Sequence, residues 1–215
     1  MAEETGLIGE VGRQVLTTAC ADVRRWQLAV PGAANLQVNV NVSARQLHGD
    51  ELVRDVRSAL AASGLPAECL VLEIIETAMM DDTDATVERL HALKALGVRL
   101  AVDDFGTGYS SLSYLQRFPV DILKIDRAFV TAIEEDGDES SLAHAIVSLA
   151  HTLRLEAVAE GVETRAQASA LARLGCDLAQ GFLFSRPLPG AELEDLLAGE
   201  GFAALLRAEL AAAER

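Results

Sequence analysis

A chain of 215 residues that is 50% hydrophobic and 24% charged, with a formal net charge of -15, reads as an ordinary globular protein rather than a disordered one and predicts one folded domain over residues 1–215. Without a Lys/Arg surplus to neutralise phosphates, no long nucleic acid is expected as a partner. A small phosphorylated ligand stays admissible where divalent ions bring the positive charge.

No run of eighteen apolar residues and no basic-then-apolar leader occurs, so direct membrane insertion is not expected. The scattered Cys20, Cys69 and Cys176 stand in apolar surroundings and read as buried thiols, and the expected compartment is the cytoplasm.

In chain order, Leu7, Ile8, Val11, Val15, Leu16, Cys20, Val23 and Trp26 recur at helical spacing and predict a helix from about Gly9 to Gln27, closed off by Pro31-Gly32. A strand follows over Leu36 to Val42 and a helix over Asp50 to Ser63. The strand Cys69 to Ile75 leads to a helix over Ala85 to Leu96. Val98 to Asp103 leads to a short helix near Ser111 to Gln116, and Asp121 to Ile125 to a long helix over Ser140 to Thr152. Between these two, the charged run Ile133 to Ser140 reads as an exposed loop and helix start. Leu155 to Ala159 precedes a helix over Thr164 to Leu174, and Leu178 to Phe184 precedes a last helix over Ala191 to Ala212. Strand–helix alternation with short connections predicts a parallel sheet covered by helices.

An open doubly wound sheet and a closed barrel both accommodate six such units, but three observations favour the barrel. Polar residues stand at the ends of every strand rather than at one switch point, no glycine-rich phosphate fingerprint follows the first strand, and the length fits. Two further strands with their connections, ~40 residues, would bring the chain to the roughly 250 residues typical of a (β/α)8 barrel. The sequence reads as six strands of a barrel with its first two strands missing.

Alternation along a strand sorts each one by face. Val38, Val40 and Val42 share a face opposite Asn39 and Asn41. Glu73 points inward between Leu72 and Ile74, Asp103 follows Val102, and Asp104 stands where the chain bends away. Lys124 lies inside between Leu123 and Ile125, Glu160 follows Ala159, and Gln180 has the opposite parity to Ala179 and Gly181. The inward set is thus Asn41, Glu73, Asp103, Asp104, Lys124, Glu160 and Gln180. Singly, an inward Asn or Gln can satisfy backbone groups, and Lys124 can be an ion-pair partner. Together, converging carboxylates need pairing or a metal.

Carboxylates with an amide suit Mg²⁺ or Mn²⁺ better than zinc. His48, His91, His144 and His151 all fall away from the strand ends, against a histidine centre or triad. Two divalent ions sharing a carboxylate, ~3.5–4 Å apart, are a common arrangement for phosphodiester hydrolysis. Asp103 is the natural bridge. Lys124 can orient or deprotonate water, or compensate charge, and both roles stand open.

Seven stretches in this order resemble the EAL family of cyclic di-GMP phosphodiesterases. They are Ala2-Glu3-Glu4-Thr5-Gly6-Leu7-Ile8, Asn39-Val40-Asn41-Val42-Ser43, Leu72-Glu73-Ile74-Ile75-Glu76, Asp103 through Leu112, Leu123-Lys124-Ile125-Asp126, Ala159-Glu160-Gly161-Val162-Glu163-Thr164, and Gln180-Gly181-Phe182. The resemblance implies an EAL-type (β/α)8 barrel and hydrolysis of cyclic di-GMP to 5'-pGpG with two Mg²⁺ or Mn²⁺ ions. It implies Asn41, Glu73, Asp103, Asp104 and Glu160 as metal ligands, with Lys124, Glu160 and Asp103 catalytic and Lys124 at the nucleophilic water. Gln180, Glu163, Glu76, Phe182, Thr107 and Gly108 take substrate contact or loop support, Glu76 steadying the loop Phe105 to Ser110.

That loop also implies dimer contacts, and the family often carries an upstream sensory or diguanylate-cyclase-type domain. The sequence departs from the family at two places. The signature Glu-Ala-Leu, whose glutamate is a further metal ligand, does not occur, and Ile75 stands where Thr is usual. Turnover by this chain is therefore expected to be weak. The alternative is an inactive EAL domain serving as a cyclic di-GMP receptor or protein-interaction module.

Overall fold

A computed structural model describes residues 6–80, 83–106, 115–136 and 142–199. The apolar periodicity near the start folds as α1 (Ile8–Ala29), burying Leu16, Cys20, Val23 and Trp26 on one stripe. Then come β1 (Val38–Val42), α2 (Ala44–His48), α3 (Leu52–Ser63), β2 (Leu70–Ile75), α4 (Glu76–Met80), α5 (Thr83–Lys94) and β3 (Arg99–Phe105). The chain continues through β4 (Ile122–Ile125), α6 (Arg127–Asp136), α7 (Leu142–Thr152), β5 (Glu156–Ala159), α8 (Arg165–Arg173), β6 (Leu178–Ala179) and α9 (Gly190–Ala198).

Local chemistry sets several of these ends. Ser43 with Gln46, and Thr164 with Gln167, form reciprocal capping boxes that start α2 and α8. Gly64, at φ 69°, ends α3 in the left-handed region that a side chain would disfavour.

Among the described residues, six strands form one sheet in the order β1-β2-β3-β4-β5-β6, every pair parallel. Strictly sequential order has no switch point, so the doubly wound alternative is excluded, and the described sheet is consistent with a barrel missing its first two strands. β1 and β6 each keep one edge unpaired among the described residues. The helical layer nevertheless meets across that gap: Glu194 of α9 accepts from Trp26 Nε1 of α1 at 3.1 Å and pairs with Arg25.

The inner face is tiered. At the entry edge Arg99 of β3 pairs with Glu156 of β5 at 2.5 Å. Above them Val71, Ala101, Ile122 and Val158 form a small apolar cluster of their own. Two residues further along each strand stand Glu73, Asp103, Lys124 and Glu160. The opposite face packs on the helices through Leu72, Ile74, Leu100, Val102, Leu123 and Ile125, all buried. Carboxylates also fasten the entry edge: Asp121 accepts from Leu100 N at 2.8 Å and from Lys94 Nζ at 2.7 and 2.8 Å. Asp177 accepts from Ala157 N at 2.8 Å and lies 3.0 Å from His151 Nε2.

Three expectations are corrected. The segment from Ile133 is not a loop: α6 spans Arg127–Asp136, opened by Asp126 Oδ1 accepting from Ala128 N, and Val130 and Ile133 are buried in the core. The last strand stops at Ala179 rather than running to Phe184. After Gln180 N joins Ala159 O, the chain folds beneath Val162, where Leu183 N reaches Val162 O and Phe184 N reaches Gly181 O. Cys20 and Cys69 are buried free thiols, but Cys176 is half-buried with its Sγ against the Ala157 and Leu178 carbonyls.

The predicted helix near Ser111 to Gln116 falls largely on residues outside those described, as does the last helix beyond Ala198. No helix among the described residues is long and apolar enough to cross a membrane.

Candidate functional site

Four neighbouring strands deliver the upper tier. β2 supplies Glu73, β3 Asp103, β4 Lys124 and the end of β5 Glu160, all at the carboxy-terminal ends of the strands. Lys124 is the hub. Its Nζ lies 2.7 Å from Glu73 Oε1 and 2.9 Å from Asp103 Oδ1, and it also pairs with Glu160 Oε1. At 2% exposure it is among the most buried side chains described. Two amides complete the shell: Asn39 Nδ2 donates to Glu73 Oε1 at 2.7 Å, and Gln180 Nε2 donates to Glu160 Oε1 at 2.6 Å.

Adjacent residues of a strand face opposite sides, yet Asp103 and Asp104 both reach the centre. The reason is a register shift between β3 and β4 from Val102 to Phe105, within which Asp104 takes a left-handed φ of 54°. Such irregularities re-aim side chains, and a non-glycine residue there is strained. Asp103, Asp104 and Glu160 thereby bring one carboxylate oxygen each within 4.8 Å of one another.

Burial and then the Asp103 and Asp126 carboxylates hold the Asp104 carboxyl above its usual range, and burial does the same to Glu160 against the pull of Lys124. Burial opposes the Lys124 ammonium, but hydrogen bonds to Glu160, Glu73 and Asp103 outweigh it and hold the pKa well above the lysine norm. All the donors of the three-carboxylate group are oxygens, the set that hard divalent cations such as Mg²⁺ or Mn²⁺ take.

The other predicted residues are placed as follows. Asn41 is in register with Glu73 but exposed on the open edge strand, and borders a cavity of about 190 Å³ between α1, α2 and α3. It is Asn39, two residues earlier on the same face, that reaches Glu73. Glu76 is buried and accepts from Gly106 N at 2.9 Å, at the start of the loop. Thr107 and Gly108 lie outside the described residues.

Gln180, Glu163 and Phe182 line a second cavity, of about 630 Å³, that opens beside Glu160. Two arginines absent from the sequence-based set also line it. Arg127 pairs with Glu163 at 2.8 Å, and the Arg186 guanidinium lies 4.7 Å from the centre of the Phe182 ring. Parity pointed to Asn39 as well as Asn41, whereas nothing local marks the arginines, which arrive by tertiary contact.

A parallel α/β sheet with an acidic centre at its carboxy-terminal edge has the layout of a barrel enzyme site. The chain belongs to the EAL domain family, which it matches over residues 1–187. It is 47% identical, over 90% of its own length and 28% of the relative's, to the bifunctional diguanylate cyclase/cyclic di-GMP phosphodiesterase MucR of Pseudomonas aeruginosa.

The solved MucR phosphodiesterase in complex with cyclic di-GMP superposes with a TM-score of 0.84 at 47% identity, over 89% of this chain and 77% of that one. A manganese and cyclic di-GMP complex of BlrP1 from Klebsiella pneumoniae superposes with a TM-score of 0.76 at 32% identity, over 88% of this chain and 47% of that one. The chain thus spans about a quarter of its curated relative.

Proposed function

We propose that this domain is a cyclic di-GMP phosphodiesterase that opens the cyclic dinucleotide to 5'-pGpG. The observation that carries the reading is the convergence of Asp103, Asp104 and Glu160 on one point above buried Lys124. The likeness to MucR and BlrP1, whose complexes hold cyclic di-GMP, supports the substrate, and the manganese in the BlrP1 complex supports the cofactor.

Asp103, Asp104 and Glu160 would hold Mg²⁺ or Mn²⁺, two ions in the full centre, with Glu73 and Asn41 on the side facing β1. When bound, these ions supply positive charge to the scissile phosphate and acidify water. The chain's own groups do the positioning. Gln180 fixes the rotamer of Glu160, Asn39 that of Glu73, and Lys124 keeps three carboxylates at a common height. The cavity beside Glu160 suits one guanylate half, with Phe182 offering a ring face to the base and Arg127 and Arg186 countering phosphate.

Free thiols fit a reducing cytoplasm. A homodimer and a partner domain upstream, of the cyclase type named in MucR, fit the same reading. One observation favours a second reading, a receptor without turnover: Asn41, which would serve the metal side facing β1, is exposed on the edge strand, and Glu73 is instead held by Asn39 and Lys124.

The test is product analysis of cyclic di-GMP incubated with the chain in Mn²⁺ and in chelator. Metal-dependent 5'-pGpG supports the enzyme, and tight binding with the dinucleotide intact supports the receptor.

The raised carboxyls give a pH dependence of known sign. Asp104 and Glu160 bind protons more readily folded than unfolded. Their ionisation therefore works against the metal-free fold at neutral pH, and the penalty is relieved as pH falls through the raised pKa values. A divalent ion must displace those protons, so its apparent affinity drops as pH falls through the same raised pKa values. Calorimetric Mn²⁺ titrations there should show buffer-dependent heats from released protons, fading as pH rises toward neutral. Heats independent of buffer across that range would contradict this account.

A further inference from the structure

We infer that Lys124 is a built-in counter-cation of the metal-free centre and competes with divalent ions for the same carboxylates. The inference rests on the metal-binding reading above. It starts from a count of donors: an ammonium has three N–H groups, and Lys124 directs contacts to three carboxylates, those of Glu73, Asp103 and Glu160. Two of the three, Asp103 and Glu160, belong to the group that converges on one point with Asp104. The cation already present and the cation to be bound therefore draw on two shared carboxylates, those of Asp103 and Glu160.

The burial makes this arrangement more than an ordinary ion pair. Lys124 is 2% exposed, Glu73 5% and Asp103 9%. Carboxylates at that depth with no cation among them carry a large desolvation cost, and removing one partner of a buried pair leaves the other charge uncompensated. Lys124 holds the tier together while no ion is bound. An arriving divalent ion brings twice the charge to Asp103, Asp104 and Glu160, and the ammonium must loosen at least one of its contacts as the carboxylates turn to the ion. Lys124 thus stabilises the empty centre and weakens its affinity for metal.

The sequence offers a direct way to see this, because Lys94 and Lys124 are its only lysines. Lys94 is tied to Asp121 at the opposite edge of the sheet and serves as an internal reference. In the full chain carrying ¹⁵N at lysine Nζ, the Lys124 ammonium should give a slowly exchanging signal. Titration with diamagnetic Mg²⁺ should shift or broaden that signal and leave Lys94 in place.

In parallel, Lys124→Met should lower the metal-free melting temperature, show a larger Mg²⁺-induced rise than the parent, and bind Mn²⁺ about tenfold tighter or more by calorimetry. Should the variant fold only with Mg²⁺ present, that result supports the inference too. A Lys124 signal unmoved at calorimetrically saturating Mg²⁺ overturns it, as does Mn²⁺ affinity in Lys124→Met equal to or weaker than in the parent, absence of binding in both included. Failure of the hydrolytic reading looks different: metal competition persists while cyclic di-GMP stays intact.

Discussion

Exchanging Asp103 for Asn should lower the Mn²⁺-dependent formation of 5'-pGpG at least about a hundredfold, the upper end of what loss of an outer-shell partner of a metal costs. The substitution is nearly isosteric, so packing over the Val71, Ala101, Ile122 and Val158 cluster is preserved. What disappears is one negative charge from a group in which Asp104 and Glu160 lie within reach of the same point.

Two consequences separate this from general damage. Mn²⁺ affinity should fall by a similar factor. The metal-free melting temperature should stay within a few degrees of the parent, because the lost contact to Lys124 is offset by relief of carboxylate repulsion and Lys124 keeps Glu73 and Glu160. Activity retained within tenfold, or equal destabilisation with and without metal, would count against Asp103 as the central ligand.

A second large effect is expected at a residue with no chemistry of its own. A Cβ on Gly181 would stand 2.2 Å from Val162 O and 2.3 Å from Val162 N, against backbone that cannot rotate aside. The approach is needed because the chain turns under the loop after β5, where Val162 N reaches Gln180 O and Leu183 N reaches Val162 O. Gly181→Ala should therefore cost on the order of 3 kcal/mol, the upper range for overpacking. It should also loosen Gln180 from Glu160, so residual activity falls along with stability.

Gly9→Ala is the matching control, since that helical position has nothing within 4 Å of the added carbon. There, stability should hold or rise by up to about 1 kcal/mol through helix propensity alone. Urea midpoints for the two variants check the pair. Equal midpoints would show that the turn beneath Val162 tolerates a side chain.

How much of this was legible beforehand follows from the range of each signal. Alternation is local, and it correctly sorted Glu73, Asp103 and Lys124 from the Leu72, Val102 and Leu123 that pack on the helices. The bend at Asp104 was legible as the end of an apolar run, but the shifted register that turns it inward is a property of the pairing with β4. Alternation marks Asn39 and Asn41 alike and the register sets Asn41 beside Glu73, but the Glu73 side chain turns back to Asn39, a contact between strands that no local pattern records.

Leu178 to Phe184 reads as one long strand because it is apolar apart from Gln180 and Gly181, while the steric constraint at Gly181 lies in another segment. The start of α6 was hidden by its acidic end, although Val130 and Ile133 carry the helical spacing that buries it. Arg127 and Arg186 were out of reach because nothing around them in sequence records their meeting with Glu163 and Phe182.

The central claim is that the tier above Lys124 is a divalent-metal centre acting on cyclic di-GMP. Its most direct test is chromatographic separation of the nucleotides after incubating cyclic di-GMP with this chain in Mn²⁺, in chelator, and with Asp103→Asn in Mn²⁺. Conversion to 5'-pGpG in the first reaction alone is the predicted result. Intact cyclic di-GMP in all three, with the dinucleotide bound, or equal product in metal and in chelator, would contradict it.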